Sequence, residues 1–106
     1  MIVRLVMATV KAERAGEFNA LMRMQLPSLR RSPGLVYAKL ARRIRGDSEE
    51  VVLYEEWRDT ASLYEWTGPE LTRARLEPGA EELATSLSVV HYEALDIELV
   101  GFAGLD

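Results

Sequence analysis

The stretch from Ile2 to Val10 is apolar on both of its alternating faces, with Ile2, Val6, Ala8 and Val10 on one side and Val3, Leu5 and Met7 on the other. Arg4 alone breaks the first face. A strand apolar on both sides is covered on both sides, so it is expected at the centre of a sheet. From Lys11 to Ser32 the period changes. Ala15, Phe18, Leu21, Met22 and Leu29 follow helical spacing, with Glu13, Arg14, Glu17 and Arg23 elsewhere. Pro27 is expected to kink or end this helix, because it offers no backbone donor, and Ser32-Pro33-Gly34 marks a turn. Leu35 to Arg45 and Val51 to Trp57 read as two strands around Gly46-Asp47-Ser48, a hairpin with a loop longer than the tightest two-residue kind. Asp59-Thr60 supplies a cap for a second helix carrying Ala61, Leu63, Tyr64 and Trp66. Gly68-Pro69 interrupts it. Glu70 to Leu76 is expected to resume as a turn or two, Ala80 to Ser86 as a short helical stretch, and Ser88 to Leu99 as the last strand, with Val89, His91, Leu95 and Ile97 alternating with Val90, Tyr92 and Ala94.

Strand, helix, strand, strand, helix, strand is the split βαββαβ order, an α+β, ferredoxin-like sandwich of four antiparallel strands with helices on one face. The reading places one domain over residues 1–106, with its core at 2–97 and a loose small-residue tail at 101–106. The helices cover one sheet face and leave the other, lined by apolar residues of the first and last strands, without cover. A patch of that kind marks a partner surface, and a second copy packed sheet to sheet with twofold symmetry would bury it, which makes a homodimer the expected state.

Composition narrows the chemistry. A chain of 106 residues with 48% apolar content forms a core, but a short one buries a modest share of its surface, so an oligomer interface is a natural supplement. Thirteen Lys and Arg against 17 Asp and Glu leave a charge of −4, with no net positive field for nucleic acid or an anionic membrane. No cysteine is present, which removes disulfides and thiolate metal sites, and the lone histidine, His91, cannot build a multi-histidine site within one subunit. No apolar run is long enough to span a bilayer, and the N-terminus lacks the features of a signal peptide, so a cytoplasmic location is expected.

His91 is the one side chain whose ordinary pKa lies near neutrality, and it is the candidate catalytic base; a hydrogen-bonded structural histidine is the other reading. Trp66 is either core or one wall of a ring-binding pocket, while Trp57, ending a strand before a cap, reads as core. Tyr64, Tyr92 and Tyr37 can donate to a quinone or phenolate oxygen or simply pack. Glu55 and Glu56 cannot face the same way, so one is expected to meet a basic residue and the other solvent. Arg42, Arg43 and Arg45 alternate opposite Glu49 and Glu50, as cross-strand ion pairs do. Arg75 reads first as part of a solvated helix face; the other reading is that it reaches a pocket mouth and binds an acidic or phenolate substrate. No phosphate loop, Ser-His-Asp set, flavin or nicotinamide fingerprint is present.

The Ser32-Pro33-Gly34 turn, followed by Leu53-Tyr54-Glu55-Glu56-Trp57-Arg58-Asp59, resembles the antibiotic-biosynthesis monooxygenase family, over about residues 2–97. The resemblance implies a dimeric α/β barrel with a pocket between helices and sheet in each subunit, and activities that include cofactor-free oxidation of polycyclic aromatics and quinols and oxidative heme degradation. Trp57 and Trp66, nine positions apart, match the spacing in the heme-degrading branch. Where that branch has an Asn on the first strand this chain has Val6, and where it has a heme-ligating His the chain has Arg75 or Leu76, so standard heme oxygenation is not expected. The resulting expectation is a monooxygenase without a bound cofactor, acting on a small aromatic or quinol-like molecule whose own electrons reduce oxygen, with His91 as base and Trp66, Tyr64, Tyr92, Arg75 and Val6 around the substrate. The alternative is a non-catalytic dimeric barrel that binds a small molecule.

Overall fold

The computed structural model describes residues 1–95; the expected end of the last strand at Ile97 and Leu99 and the tail at 101–106 lie outside them. The described elements are β1 (Ile2–Lys11), α1 (Ala12–Arg30), β2 (Leu35–Arg45), β3 (Ser48–Trp57), α2 (Thr60–Thr67), a 3-10 turn at Glu81–Leu83 and β4 (Ala84–Glu93). The strands form one antiparallel sheet in the order β2-β3-β1-β4, so the strand with two apolar faces is central, as its pattern requires.

Pairing fixes which side chains share a face. Arg4 stands opposite Glu55 on β3 and His91 on β4, and Val6 opposite Leu53 and Val89. This face is covered by α1, through Ala15, Phe18, Met22 and Leu29, and by α2, through Leu63 and Trp66. Trp57, Phe18, Leu53 and Val10 sit at the heart of the resulting core. The other sheet face carries half-buried Leu5, Met7, Val52, Tyr54 and Val90 with no element over it among the described residues.

Four local expectations change. Pro27 does not end α1, which runs on to Arg30: Pro27 is exposed, so the missing backbone bond is at the solvent side, while Leu29 buries itself fully and draws the last turn inward. The hairpin closes in two residues, since Arg45 pairs with Ser48 and Gly46 takes φ +60°, the Gly-first arrangement of a tight turn. Of the helical turns expected at Glu70–Leu76 only one hydrogen-bonded turn forms, closed by the Arg73 N–H on the Glu70 carbonyl at 3.1 Å, because side chains from distant elements capture the carbonyls of Leu71, Arg73 and Arg75. Helical structure expected over Ala80–Ser86 shrinks to Glu81–Leu83, since β4 starts at Ala84, four residues before the expected Ser88, in order to pair along nearly the whole of β1.

The Pro-Gly turn has a packing reason as well as a conformational one. Gly34 adopts φ +86°, and a Cβ there would run into the Ser62 side chain on α2. The Gly34 carbonyl accepts from the Arg58 N–H at 2.8 Å, and Asp59 caps α2 by accepting from the Ser62 N–H at 2.8 Å. The turn therefore seats the start of α2, and with it the inward direction of Trp66.

Candidate functional site

Three strands bring Arg4, Glu55 and His91 together beneath α2. Arg4 is a buried cation, and all three elements around it supply partners. Its Nη1 donates to the Leu71 carbonyl at 2.7 Å and to His91 Nε2 at 2.9 Å, and its Nη2 donates to the Arg73 carbonyl at 2.8 Å. Its Nε lies 3.6 Å from Glu55 Oε1. Glu55 Oε1 also accepts from the Trp57 indole N–H at 2.8 Å. Of the two adjacent glutamates, Glu55 is thus the one that meets a basic residue, and Glu56 lies on the opposite face.

Charge follows burial here. Burial pushes the Glu55 carboxyl up from its ordinary range, against the opposing pull of the Trp57 N–H and the Arg4 charge. Burial also lowers Arg4, offset in part by Glu55, and a guanidinium nonetheless stays a cation. Burial first, and then the Arg4 charge, hold the His91 imidazole below its ordinary value. Because Arg4 can only donate, the His91 Nε2 is an acceptor and the proton of the neutral ring belongs on Nδ1. The lone pair that a base would use is already engaged.

Above this cluster, residues 71–77 form a strap pinned at alternate positions. Arg4 takes the carbonyls of Leu71 and Arg73. Gln25, buried on the inner face of α1, donates to the Arg75 carbonyl at 3.1 Å and accepts from the Glu77 N–H at 3.1 Å. The strap carries the Arg75 guanidinium to 3.7 Å over the Trp66 ring, a cation–π contact. Trp66 in turn lies 6.3 Å from Trp57, at 31°, and is 8% exposed. Beside the strap a cavity of about 370 Å³ is lined by Thr67, Arg75, Glu77 and Glu82 among others.

Of the residues expected at the site, Trp66, Arg75, Val6 and His91 fall on the helix-covered side. Trp66 and Arg75 touch; Val6 is core beside Arg4; His91 is tied to Arg4. Tyr92 projects from the opposite sheet face, since it follows His91 directly on β4, and Tyr64 is exposed on α2. Tyr37 makes an edge contact with Tyr54 on that opposite face, ring centroids 5.9 Å apart. The hairpin arginines pair across strands, Arg42 with Glu49 and Arg43 and Arg45 with Glu50. The anchors Arg4 and Gln25 were not among the expected site residues. The signal for Arg4 was its charge inside an apolar strand face; Gln25 gave none beyond its place on the inward side of the helix.

The donor set does not suit heme. Val6 offers no hydrogen bond, Arg75 sits over Trp66, and the lone imidazole has its Nε2 committed to Arg4. Among the described residues, no group of three or more His, Asp or Glu is placed to hold a metal ion. No helix among them is long and apolar enough to cross a membrane.

A four-stranded antiparallel sheet with its helices on one face is the ferredoxin-like arrangement. The antibiotic biosynthesis monooxygenase family profile matches residues 1–78, and the chain belongs to that family. Solved structures share the fold at low identity. A protein of Deinococcus radiodurans, assigned provisionally as an antibiotic biosynthesis monooxygenase, superposes with a TM-score of 0.73 at 16% identity, covering 92% of this chain and 96% of its own. Rv0793 of Mycobacterium tuberculosis gives 0.72 at 20% identity, covering 91% and 96%. The heme-degrader MhuD of Mycobacterium tuberculosis gives 0.62 at 19% identity, covering 92% and 100%. No protein of curated function matches the sequence significantly.

Proposed function

We propose that the protein is a homodimeric monooxygenase that oxidises a small aromatic or quinol-like anion with molecular oxygen and no bound cofactor. The observation that carries this reading is the Arg75 guanidinium 3.7 Å over Trp66. An indole face and an exposed cation above it are the two parts needed to take a flat phenolate: with the Arg75 side chain swung aside, the ring would stack on Trp66 and the oxygen would pair with Arg75. Held as its anion, such a ring is electron-rich enough to reduce oxygen itself. When a ring CH2 becomes a carbonyl, one oxygen atom enters the product, and the other leaves as water with the two hydrogens lost from carbon. His91, with Nε2 fixed by Arg4, has Nδ1–H left to steady the developing oxyanion, which makes it a donor rather than the base its pKa first suggests. Val6 supplies dry surface nearby, and Tyr64 can close the outer rim. The apolar sheet face supports the dimer: Leu5, Met7, Val52, Tyr54 and Val90 would meet their counterparts in a second copy, and Tyr92 belongs to that junction.

Oxygen uptake over a panel of hydroquinones and anthrones tests the reading. Uptake on at least one ring, lost in Trp66→Leu and reduced by Arg75→Ala, is the expected result. No uptake on any ring overturns it. The 8% exposure of Trp66 favours one second reading, a barrel that binds without turning over; saturable quenching of tryptophan fluorescence by the same rings, without oxygen uptake, would establish it.

A further inference from the structure

His91 stands on β4, an edge strand of the sheet, and is half-buried. Among the described residues its ring makes one side-chain hydrogen bond, Nε2 to Arg4 Nη1 at 2.9 Å. Arg4 is held more firmly, by the Leu71 and Arg73 carbonyls of the strap and by Glu55 on the strand beyond. Of the two partners the ring is the one free to move. It covers a guanidinium that is otherwise sealed, since Arg4 is 1% exposed.

The charges at this corner balance only while the ring is neutral. The Arg4 cation and the Glu55 carboxylate offset each other across the strand pair. An imidazolium adds a second cation, and among the described residues no carboxylate comes within ion-pairing distance of the ring. The groups around it are Arg4 from β1, with Glu55 of β3 behind, Arg73 from the strap with an exposed side chain, and exposed Glu93 two positions along β4. A Glu55 that takes up a proton only adds to the positive excess. Protonation also turns Nε2 from acceptor to donor, against a guanidinium that can only donate. The contact cannot survive this as it stands. The ring turns toward solvent at the sheet edge, and two N–H groups are left facing one space with one positive charge uncompensated.

We propose that Arg4 and His91 form a proton-coupled site for a small monovalent anion, closed while the ring is neutral and formed when it is protonated. The anion accepts from Arg4 Nη1 and from the imidazolium Nε2, which then stand about 5–6 Å apart, and it restores neutrality. The guanidinium lies beneath the strap, so only an ion of one or a few atoms reaches it. Proton and anion are linked, each strengthening the binding of the other by the same factor. This site does not rest on the oxidation reading: it needs neither substrate nor oxygen.

The chain has a single histidine, so in tag-free protein one imidazole proton resonance follows the titration of His91. The titration is run in sodium chloride and in sodium gluconate at equal ionic strength, gluconate being too bulky to pass the strap. Chloride is expected to raise the proton affinity of the ring about threefold or more. The chloride-35 linewidth is expected to rise as pH falls through the same titration, with amide shifts at Arg4, Leu71 and His91 locating the ion. His91→Gln keeps an acceptor for Arg4 and is expected to lose the pH-dependent broadening. Equal titration in the two salts overturns the proposal, because the imidazolium would then meet solvent or Glu93 alone. Broadening that persists over the same pH range in His91→Gln, or chloride shifts confined to the exposed hairpin arginines, overturns it as well.

Discussion

Arg4 and Glu55 stand opposite each other on adjacent strands, each 1% exposed, with Nε 3.6 Å from Oε1 and without a hydrogen-bond partner of its own. The pair is electrostatically matched but loosely joined, since the guanidinium has turned its other nitrogens to the strap and to His91.

Removing one member strands a buried charge, so Arg4→Met and Glu55→Leu are each expected to cost about 3–5 kcal/mol. The double variant is expected to cost less than the sum of the two, because neither charge is then left alone. Urea denaturation of all four proteins measures the coupling; simple additivity would show that the pair does not act as a unit.

His91 sets a pH dependence whose sign follows from its lowered pKa. The unfolded chain takes up a proton near 6.5 while the folded one resists until lower pH, so this contribution is complete above 6.5 and is lost as pH falls toward the folded value. Protonation would also place a second cation at the 2.9 Å contact with Arg4. His91→Gln keeps an acceptor for Arg4 and does not titrate. Denaturation midpoints from pH 7 downward are expected to fall in the parent once the pH passes below about 6.5 and to stay nearly flat there in the variant, apart from the carboxylate contribution both share.

Gln25 holds the far end of the strap through two bonds. Gln25→Leu leaves the Arg75 carbonyl and the Glu77 N–H without their partner and is expected to cost about 1–3 kcal/mol. The more telling readout is local. Hydrogen exchange over residues 71–77 is expected to quicken and Trp66 to become more accessible to acrylamide, while Trp57, fully buried, stays protected. Unchanged quenching would mean that the strap does not depend on this anchor.

Gly34 combines positive φ with the close approach of Ser62. Gly34→Ala is expected to destabilise by about 1–3 kcal/mol, and adding Ser62→Gly to recover the part due to the clash while leaving the backbone part of about 1 kcal/mol. Thermal melts of the single and double variants separate the two contributions.

The proposed dimer has its own check. Met7→Glu places a charge in the middle of the open sheet face without touching the helix-covered core. Light scattering is expected to show a dimer for the parent and a monomer with an unchanged far-ultraviolet spectrum for the variant. A parent that is monomeric at high concentration would remove the sheet-to-sheet arrangement.

What the chain declares in advance depends on how local the cause is. The central place of β1 could be read because its two faces are both apolar, and the Pro-Gly turn because Ser32-Pro33-Gly34 punctuates strongly. The strap could not: residues 71–77 have helical composition, and what prevents a helix is a guanidinium 67 positions earlier and an amide 50 positions earlier. Within the site, Trp66 and Arg75 could be picked out as separate residues, but their stacking depends on that same long-range pinning. Tyr92 was misdirected by chemistry alone, since its phenol suits a ring oxygen while its parity on β4 sends it to the other side of the sheet.

The strap also bears on the order in which the molecule assembles. Arg4 enters the core as soon as β1 pairs with β3, yet two of its hydrogen-bond acceptors, the carbonyls of Leu71 and Arg73, come from chain that lies beyond α2. A sheet formed without the strap would hold a cation with empty hands, so docking of residues 71–77 is drawn into the same cooperative event as strand pairing rather than following it at leisure. Sub-global opening of the strap must therefore release Arg4 as well, and so is felt in the middle of the sheet.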